Sequence, residues 1–494
     1  MTPKRRPARE AEIGAVYTFH VPGGRYGACQ VVSKKDSGRW VEMATLDYLS
    51  TKPPSPESAR RSKVLRLTWA NWDGSPARCN VDHRVPWWAE RVAVMEPLEN
   101  FADQCRSFAR WSSAAFAAYY RDRWERGARR TRKFDDSKVQ VDLGGGPTDL
   151  SRDSVRAAVG PGDMFQPPPA GKVRFDALDA LPSLTEIAYA GRDAGFLDYV
   201  VSRKIEKVSW KDHGQRTIDL RSSCVDDLSI EVGAEDLTLH VPETLDVLTV
   251  TGHVERLTVE GAHLDFPFQL YLHGPHVAAP PRGMEAIQSV EYRGLIDSDT
   301  SALASYSRIA ELTLRGAPGK LRDASTLGQL RGLRELEIYD VYELDVARWP
   351  SDWPLLEGVQ IHGLRKADAD GLKKTLATVP DVRITGARSD AWIESNLGNP
   401  FREWDQDDPS FGRTACSAWK KARHAATTLG SSASQAEAKE VLHGLVASLN
   451  RLNRKYDIDT VRREEAGEAF LKLARDLGVP EAQASAWFDE WRDF

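Results

Sequence analysis

Seven carboxylates recur at one register between residues 186 and 381: Glu186, Asp227, Glu291, Glu311, Glu335, Glu337 and Asp381. Each stands two or four residues after an apolar residue that opens a short strand-like cell. With the intervening cells included and the weakest left out, the outward positions number eighteen, of which seven are acidic and two basic. Strands stacked in one sheet lie about 4.8 Å apart, so like charges on adjacent strands repel. Glu311 beside Glu335 is unfavourable unless cations compensate the row. Two sources of cations fit. Lys211, Arg293 and Arg315 in the neighbouring row can pair with it internally, or a basic protein partner can complete the pairing.

Other chemistry-bearing residues point less sharply. His240, His253, His263, His273 and His276 cluster, and one repeat separates His253 from His273. Two stacked histidines lack the third and fourth ligands of a metal site. Cys79 and His83 have no second pair. Asp226-Asp227 reads as a solvated turn rather than an acid/base dyad. No nucleophile elbow, zinc-protease helix or kinase signature occurs, and Gly144 to Gly146 lack the following Lys-Ser/Thr of a phosphate loop. Neither a cofactor nor a metal is expected. A basic run holds Arg126, Arg129, Arg130, Arg132 and Lys133. It suits a solvated helix end facing the negative dipole, or an acidic partner or RNA backbone.

The elements that must position the acidic row are cells of the form LxxLxL. They open at Leu184, Ile205, Val225, Leu245, Leu264, Ile287, Ile309, Leu333, Leu356 and Val379, at spacings of 21, 20, 20, 19, 23, 22, 24, 23 and 23 residues. A unit of this size cannot bury its apolar face alone, so a stack is expected over 176–388. The pattern is similar to a leucine-rich repeat and implies a β-solenoid with a long open surface. It departs from that family at the inward Asn after the last apolar position, where residues such as Arg192, His213 and His253 stand instead. The turns must therefore be closed some other way. Ile218/Leu220, Leu237/Leu239 and Leu257/Val259 give a second strand signal half a repeat out of phase. The Leu264 cell is the weakest and carries an expected insertion loop.

Residues 1–97 read as a small, bent β-barrel. Alternation in "GAVYTFHVPGGRYGACQVV" around Gly23-Gly24 is a hairpin signal. The hairpin resembles the opening of immunity protein family twenty-six of bacterial polymorphic toxin systems, through Gly14, Val16 to Val21, Tyr26-Gly27 and Gln30 to Val32. That resemblance covers about twenty residues and implies toxin neutralisation by binding, without catalysis. Residues 98–175 are expected to form one long helix, with Phe101, Cys105, Phe108, Ala115, Tyr119 and Trp124 at helical spacing, then a Gly/Pro-rich linker. Residues 389–494 are expected to form a helical module, with Thr460 as an N-cap and Trp487 and Trp491 as anchors.

The fold class expected is thus α+β and multi-domain: barrel, leucine-rich-repeat-like solenoid, helical module. The 494 residues exceed one core. No apolar run is long enough to span a membrane, and no secretory signal opens the chain. Five scattered cysteines argue for a reducing cytoplasm. The function expected is non-catalytic protein interaction, as an immunity or inhibitor protein binding a basic toxin or effector through the acidic row. The alternative is a nucleic-acid-associated protein using the basic run and aromatics such as Trp87 and Trp88.

Overall fold

The computed structural model describes residues 9–35, 39–69, 72–101, 103, 105–126, 135–161, 163–166, 168, 172–193, 195–405 and 408–494. The chain divides into two compact units, Met1–His362 with Asp370–Ile384, and Gly363–Ala369 with Thr385–Phe494.

The first unit begins with five antiparallel strands: β1 (Ala15–Val21), β2 (Arg25–Lys34), β3 (Trp40–Ser50), β4 (Arg78–Asp82) and β5 (Glu90–Val94). The β1–β2 turn needs positive φ at two successive residues, and Gly23 and Gly24 adopt 74° and 64° there. The sheet runs β4-β3-β2-β1-β5. Its edge strands β4 and β5 do not pair with each other, so this is an open sheet and not the expected barrel. One long helix is also absent from 98–126. Among its described residues only Trp111–Ala115 and Ala117–Arg126 are helical. The segment before them runs extended along β4, where Asn80 N–H donates to Ser107 O and Ala109 N–H to Asn80 O. Helical spacing of aromatics did not discriminate, because this stretch meets the sheet edge instead.

The expected linker carries structure as well. β6 (Lys138–Asp142) and β7 (Pro147–Ser151) form a hairpin, and β8 (Arg156–Val159) joins a larger sheet. The Gly triplet is the hairpin turn, with the Asp142 carboxylate accepting from Gly144 and Gly146 N–H at 2.7 and 3.2 Å.

The larger sheet has eleven strands, in the order β21-β20-β19-β18-β17-β16-β14-β12-β10-β9-β8. After β8 come β9 (Glu186–Ala190), β10 (Lys207–Lys211), β12 (Asp227–Val232), β14 (Val247–Gly252), β16 (Gln269–His273) and β17 (Ser289–Ser298). β18 (Glu311–Leu321), β19 (Glu335–Leu344), β20 (Gly358–Arg365) and β21 (Asp381–Arg388) complete it. Three short strands, β11 (Thr217–Asp219), β13 (Leu237–His240) and β15 (Leu257–Glu260), pair parallel in a separate sheet. The architecture is therefore mixed α/β around a continuous parallel sheet, and it overturns the expected solenoid. The return segments are not a repeated unit. They are strand on three rungs, 3-10 turns at Ser301–Ser305, Ser325–Gln329 and Val346–Arg348, and α-helix at Phe196–Arg203 and Lys366–Thr375. Variable returns break the coil symmetry that strand spacing alone suggests.

Alternation along each strand sends two residues into the core. Val208/Trp210, Leu228/Ile230, Leu248/Val250, Leu312/Leu314 and Leu336/Ile338 are all buried. Each such side chain contributes about 1.5–3 kcal/mol. The Leu264 cell is displaced: Leu270 and Leu272 point inward, and Val247 is in register with Gln269. One expected Asn position shows how a turn is closed. Buried His213 lies between rungs, with Nε2 2.8 Å from Glu231 O and Nδ1 accepting from Gln215 N–H at 3.0 Å. Nδ1 is thus the acceptor and Nε2 carries the proton.

The second unit contains helices Pro409–Leu429, Gln435–Asn453, Thr460–Asp476 and Glu481–Trp491 around Phe401, Trp404, Phe411, Trp419, Leu449 and Phe470. Asp459, not Thr460, caps the third, accepting from Arg462 N–H. Ser434 and Glu437 form a capping box. Trp487 and Trp491 stack at 5.4 Å. No described helix is long and apolar enough to cross a membrane.

His213→Ala strands a buried carbonyl and a buried N–H. It is expected to lower stability by about 1–3 kcal/mol, read as a lower urea midpoint at unchanged m-value. An unchanged midpoint would mean that water replaces the imidazole.

Candidate functional site

The polar face of the parallel sheet is met by the chain's own N-terminal sheet. Residues between β4 and β5 supply the contact. Arg84 Nη1 lies 3.3 Å from Glu335 Oε2 and 3.5 Å from Asp381 Oδ2. Arg383 Nη2 reciprocates at 2.7 Å from Asp82 Oδ2 and 3.2 Å from Asp381. Burial opposes ionisation of Asp82, yet the hydrogen bonds from Arg383 and from Arg84 N–H keep its pKa below the ordinary range. Gly358 makes this possible, because a Cβ there would overlap both Arg84 Nη1 and Glu335 Oε2. Next to the ion pairs, Trp87 Nε1 donates to Glu311 Oε1 at 2.9 Å and Ser289 Oγ to Glu311 Oε2 at 3.2 Å. Trp88 stacks on Phe266 with centroids 4.9 Å apart and planes 14° apart. Phe116 and Trp87 also pack around that ring.

A second polar cluster joins the helix Ala117–Arg126 to the same sheet. Arg123 Nη2 donates to Glu206 at 2.8 Å, and Nη1 contacts Asp226. Tyr119 OH donates to Asp246 Oδ2 at 3.2 Å. One guanidinium thus faces Glu206, Asp226 and Asp246, with Asp227 and Lys207 nearby. Burial, outweighing the attraction of Arg123, pushes Asp226 up to about 7. Burial and the Asp226 charge push Asp246 to about 8. Burial likewise raises Glu335 to about 8 against the attraction of Arg84, and Glu311 is raised for the same reason. Arg123 remains the cation, and the excess protons reside on the carboxyls.

Every carboxylate expected at the site has a partner within the chain. Glu186 pairs with Arg156 at 3.2 Å and Asp227 with Lys207 at 3.5 Å. Glu291 takes both Arg293 and Arg315 at 2.7 Å. Glu337 accepts from Tyr339 OH at 2.9 Å. Glu311, Glu335 and Asp381 meet the N-terminal sheet as above. Cations of the chain meet Glu186, Asp227, Glu291, Glu335 and Asp381, whereas Glu311 and Glu337 take neutral donors; of the cations expected to pair with the row, Arg293 and Arg315 do so at Glu291. Of the basic run, Arg126 ends its helix, while Arg129, Arg130, Arg132 and Lys133 lie outside the described residues. Trp87 and Trp88 are engaged internally. His253 Nδ1 sits 3.1 Å from Glu255, and His273 is in register with Thr251. Among the described residues no three His, Cys, Asp or Glu side chains could share a metal ion.

Two of the concavities among the described residues lie at or beside the contact between the sheets. A cavity of about 410 Å³ lies between the two sheets, bounded by Trp88, Phe266, Glu311, Glu335, Tyr271 and Tyr339. An open groove of about 1140 Å³ lies on the N-terminal sheet, lined by Leu67, Trp69, Trp72 and Tyr120 and by Arg78 and Arg106. Trp72 is 57% exposed there. Sequence reasoning missed this groove and the docking residues Arg84, Arg123 and Phe266. None lies in a periodic pattern, and the aromatic density around Trp69 and Trp72 was the one available signal.

Gly358→Ala is expected to cost about 1–3 kcal/mol through overlap and to weaken the Arg84 pairs, measured as a lower urea midpoint. Gly358→Ala combined with Arg84→Ala should regain part of the loss, and a purely additive result would place the strain elsewhere. Between roughly pH 4 and 8 the folded chain holds protons on Asp226, Asp246 and Glu335 that the unfolded chain releases. Stability from these groups is fully present below that window and falls as pH rises through it. Urea midpoints at constant ionic strength should decline toward pH 8, and Asp246→Asn should flatten the decline. Comparison of the chain with protein-family models, with curated proteins and with solved structures finds no match in any of the three.

Proposed function

We propose that the chain is a non-catalytic protein-interaction protein, an inhibitor that acts by occluding its partner, and that the partner docks in the aromatic groove of the N-terminal sheet. The observation that carries this is Trp72, a large aromatic 57% exposed in an open groove beside Trp69, Tyr120 and two arginines. Trp, Tyr and Arg are the residues on which interface energy concentrates, and an exposed apolar surface of this kind marks interaction sites. The resemblance of the β1–β2 hairpin to a toxin-immunity family supports the inhibitor class. The acidic row contributes differently in this reading. Three of its carboxylates, Glu311, Glu335 and Asp381, meet the N-terminal sheet and the others pair with neighbouring side chains, so the row adds no argument for a basic partner in this reading. Five free cysteines, four of them buried, support a reducing cytoplasm. Of the residues on which the nucleic-acid alternative draws, Trp87 and Trp88 are engaged within the chain.

Trp72→Ala with Tyr120→Ala is expected to weaken binding of the protein recovered from the native host by about 30-fold or more. Glu186→Lys should leave it unchanged. Biolayer interferometry with that purified partner makes the comparison. Retained affinity in the aromatic double variant would move the site off the groove.

A further inference from the structure

Arg293 on β17 and Arg315 on β18 are register partners on adjacent strands. Two guanidinium groups so placed repel each other. They are nevertheless held side by side, because Nε of each donates to the same oxygen, Glu291 Oε1, at 2.7 Å. Each also lies against an aromatic ring, Arg293 at 4.4 Å from the Tyr271 centroid and Arg315 at 4.0 Å from that of Tyr339. The rings are themselves fixed: Tyr271 OH donates to Gln269 and Tyr339 OH to Glu337. Both forks are thus oriented through Nε and stacking alone. Among the described residues neither makes a further hydrogen bond, and the side chains keep 43% and 34% exposure against 15% for Glu291.

One carboxylate balances two cations, which leaves the pair short of a negative charge. Among the described residues no carboxylate other than Glu291 comes within ion-pair distance of either guanidinium; Glu337 accepts from Tyr339 OH, and Glu311 from Trp87 and Ser289. His273 is next in the row, in register with Arg293. Exposed Arg110 adds a third cation at the rim of the 410 Å³ cavity, which Tyr271, Glu291 and Tyr339 also line.

We propose that Arg293 and Arg315 form a binding site for a phosphate group, which accepts from the Nη atoms of both guanidiniums. Two forks on neighbouring strands demand oxygens in more than one plane. A carboxylate satisfies one fork with its two coplanar oxygens, whereas a tetrahedral oxyanion reaches both. The site is independent of the aromatic groove and stands or falls without it.

The test is a titration of the full chain with inorganic phosphate and with phenyl phosphate at constant ionic strength, with chloride as control. Expected are a saturable rise in melting temperature with phosphate but not chloride, and protection of Arg293 and Arg315 from phenylglyoxal, read by peptide mass spectrometry on the wild type. Tighter binding of phenyl phosphate would identify a phosphomonoester; equal binding would identify free phosphate. Arg315→Lys should weaken either by about tenfold or more. Absence of a phosphate-specific effect in the wild type overturns the proposal. So does an undiminished effect in Arg293→Gln/Arg315→Gln, or unprotected arginines at saturating phosphate.

Discussion

Carboxylates on neighbouring strands of a parallel sheet cannot all stand ionised without cations, and most of what surrounds the sheet answers that demand. Arg84 sits between Glu335 and Asp381, Arg383 returns the contact to Asp82, and Arg123 serves Glu206 and Asp226. Where cations run short, a proton takes their place, as on Asp246. Breaking one partner of a partly buried pair leaves the other charge stranded, which costs more than the pair gains. The polar face is thus as constrained as the apolar one.

Aromatic packing carries the apolar share of the same contact. Phe266 leaves the sheet between β15 and β16 and enters a nest of Trp87, Trp88 and Phe116. Ion pairs fix orientation and the aromatic nest supplies area. The groove with Trp72 is lined by the N-terminal sheet and by the helical segment that follows it.

Legibility followed periodicity. Strand positions of the parallel sheet could be read because two inward residues recur about every twenty positions, as at Leu312/Leu314 and Leu336/Ile338. The half-phase pairs at Ile218 and Leu239 were equally visible. Return segments were not, since 3-10 turns such as Ser325–Gln329 have no period long enough to register. β6 to β8 escaped notice because strands of four or five mixed residues resemble a linker. The acidic row was legible as residues but not as a site. Which cation meets Glu335 depends on Arg84, some 250 positions away, and a pairing at that separation leaves no local trace. Arg293 and Arg315 were visible as neighbours in a row, but only the shared oxygen of Glu291 distinguishes a poised pair from ordinary compensation.

The hydrogen bond between Asp82 and Arg383 spans 301 residues. During translation, at about 5–20 residues per second, Asp82 and Arg84 emerge roughly 15–60 s before the segment that holds them. Until Phe266 is made, partway through that interval, Trp87, Trp88 and Phe116 lack its ring to pack against, and Arg84 and Arg123 gain their carboxylates only as each rung is added. The nascent chain is therefore stickiest midway through synthesis, and the last rung to leave the ribosome is the one that closes the ion-pair lock.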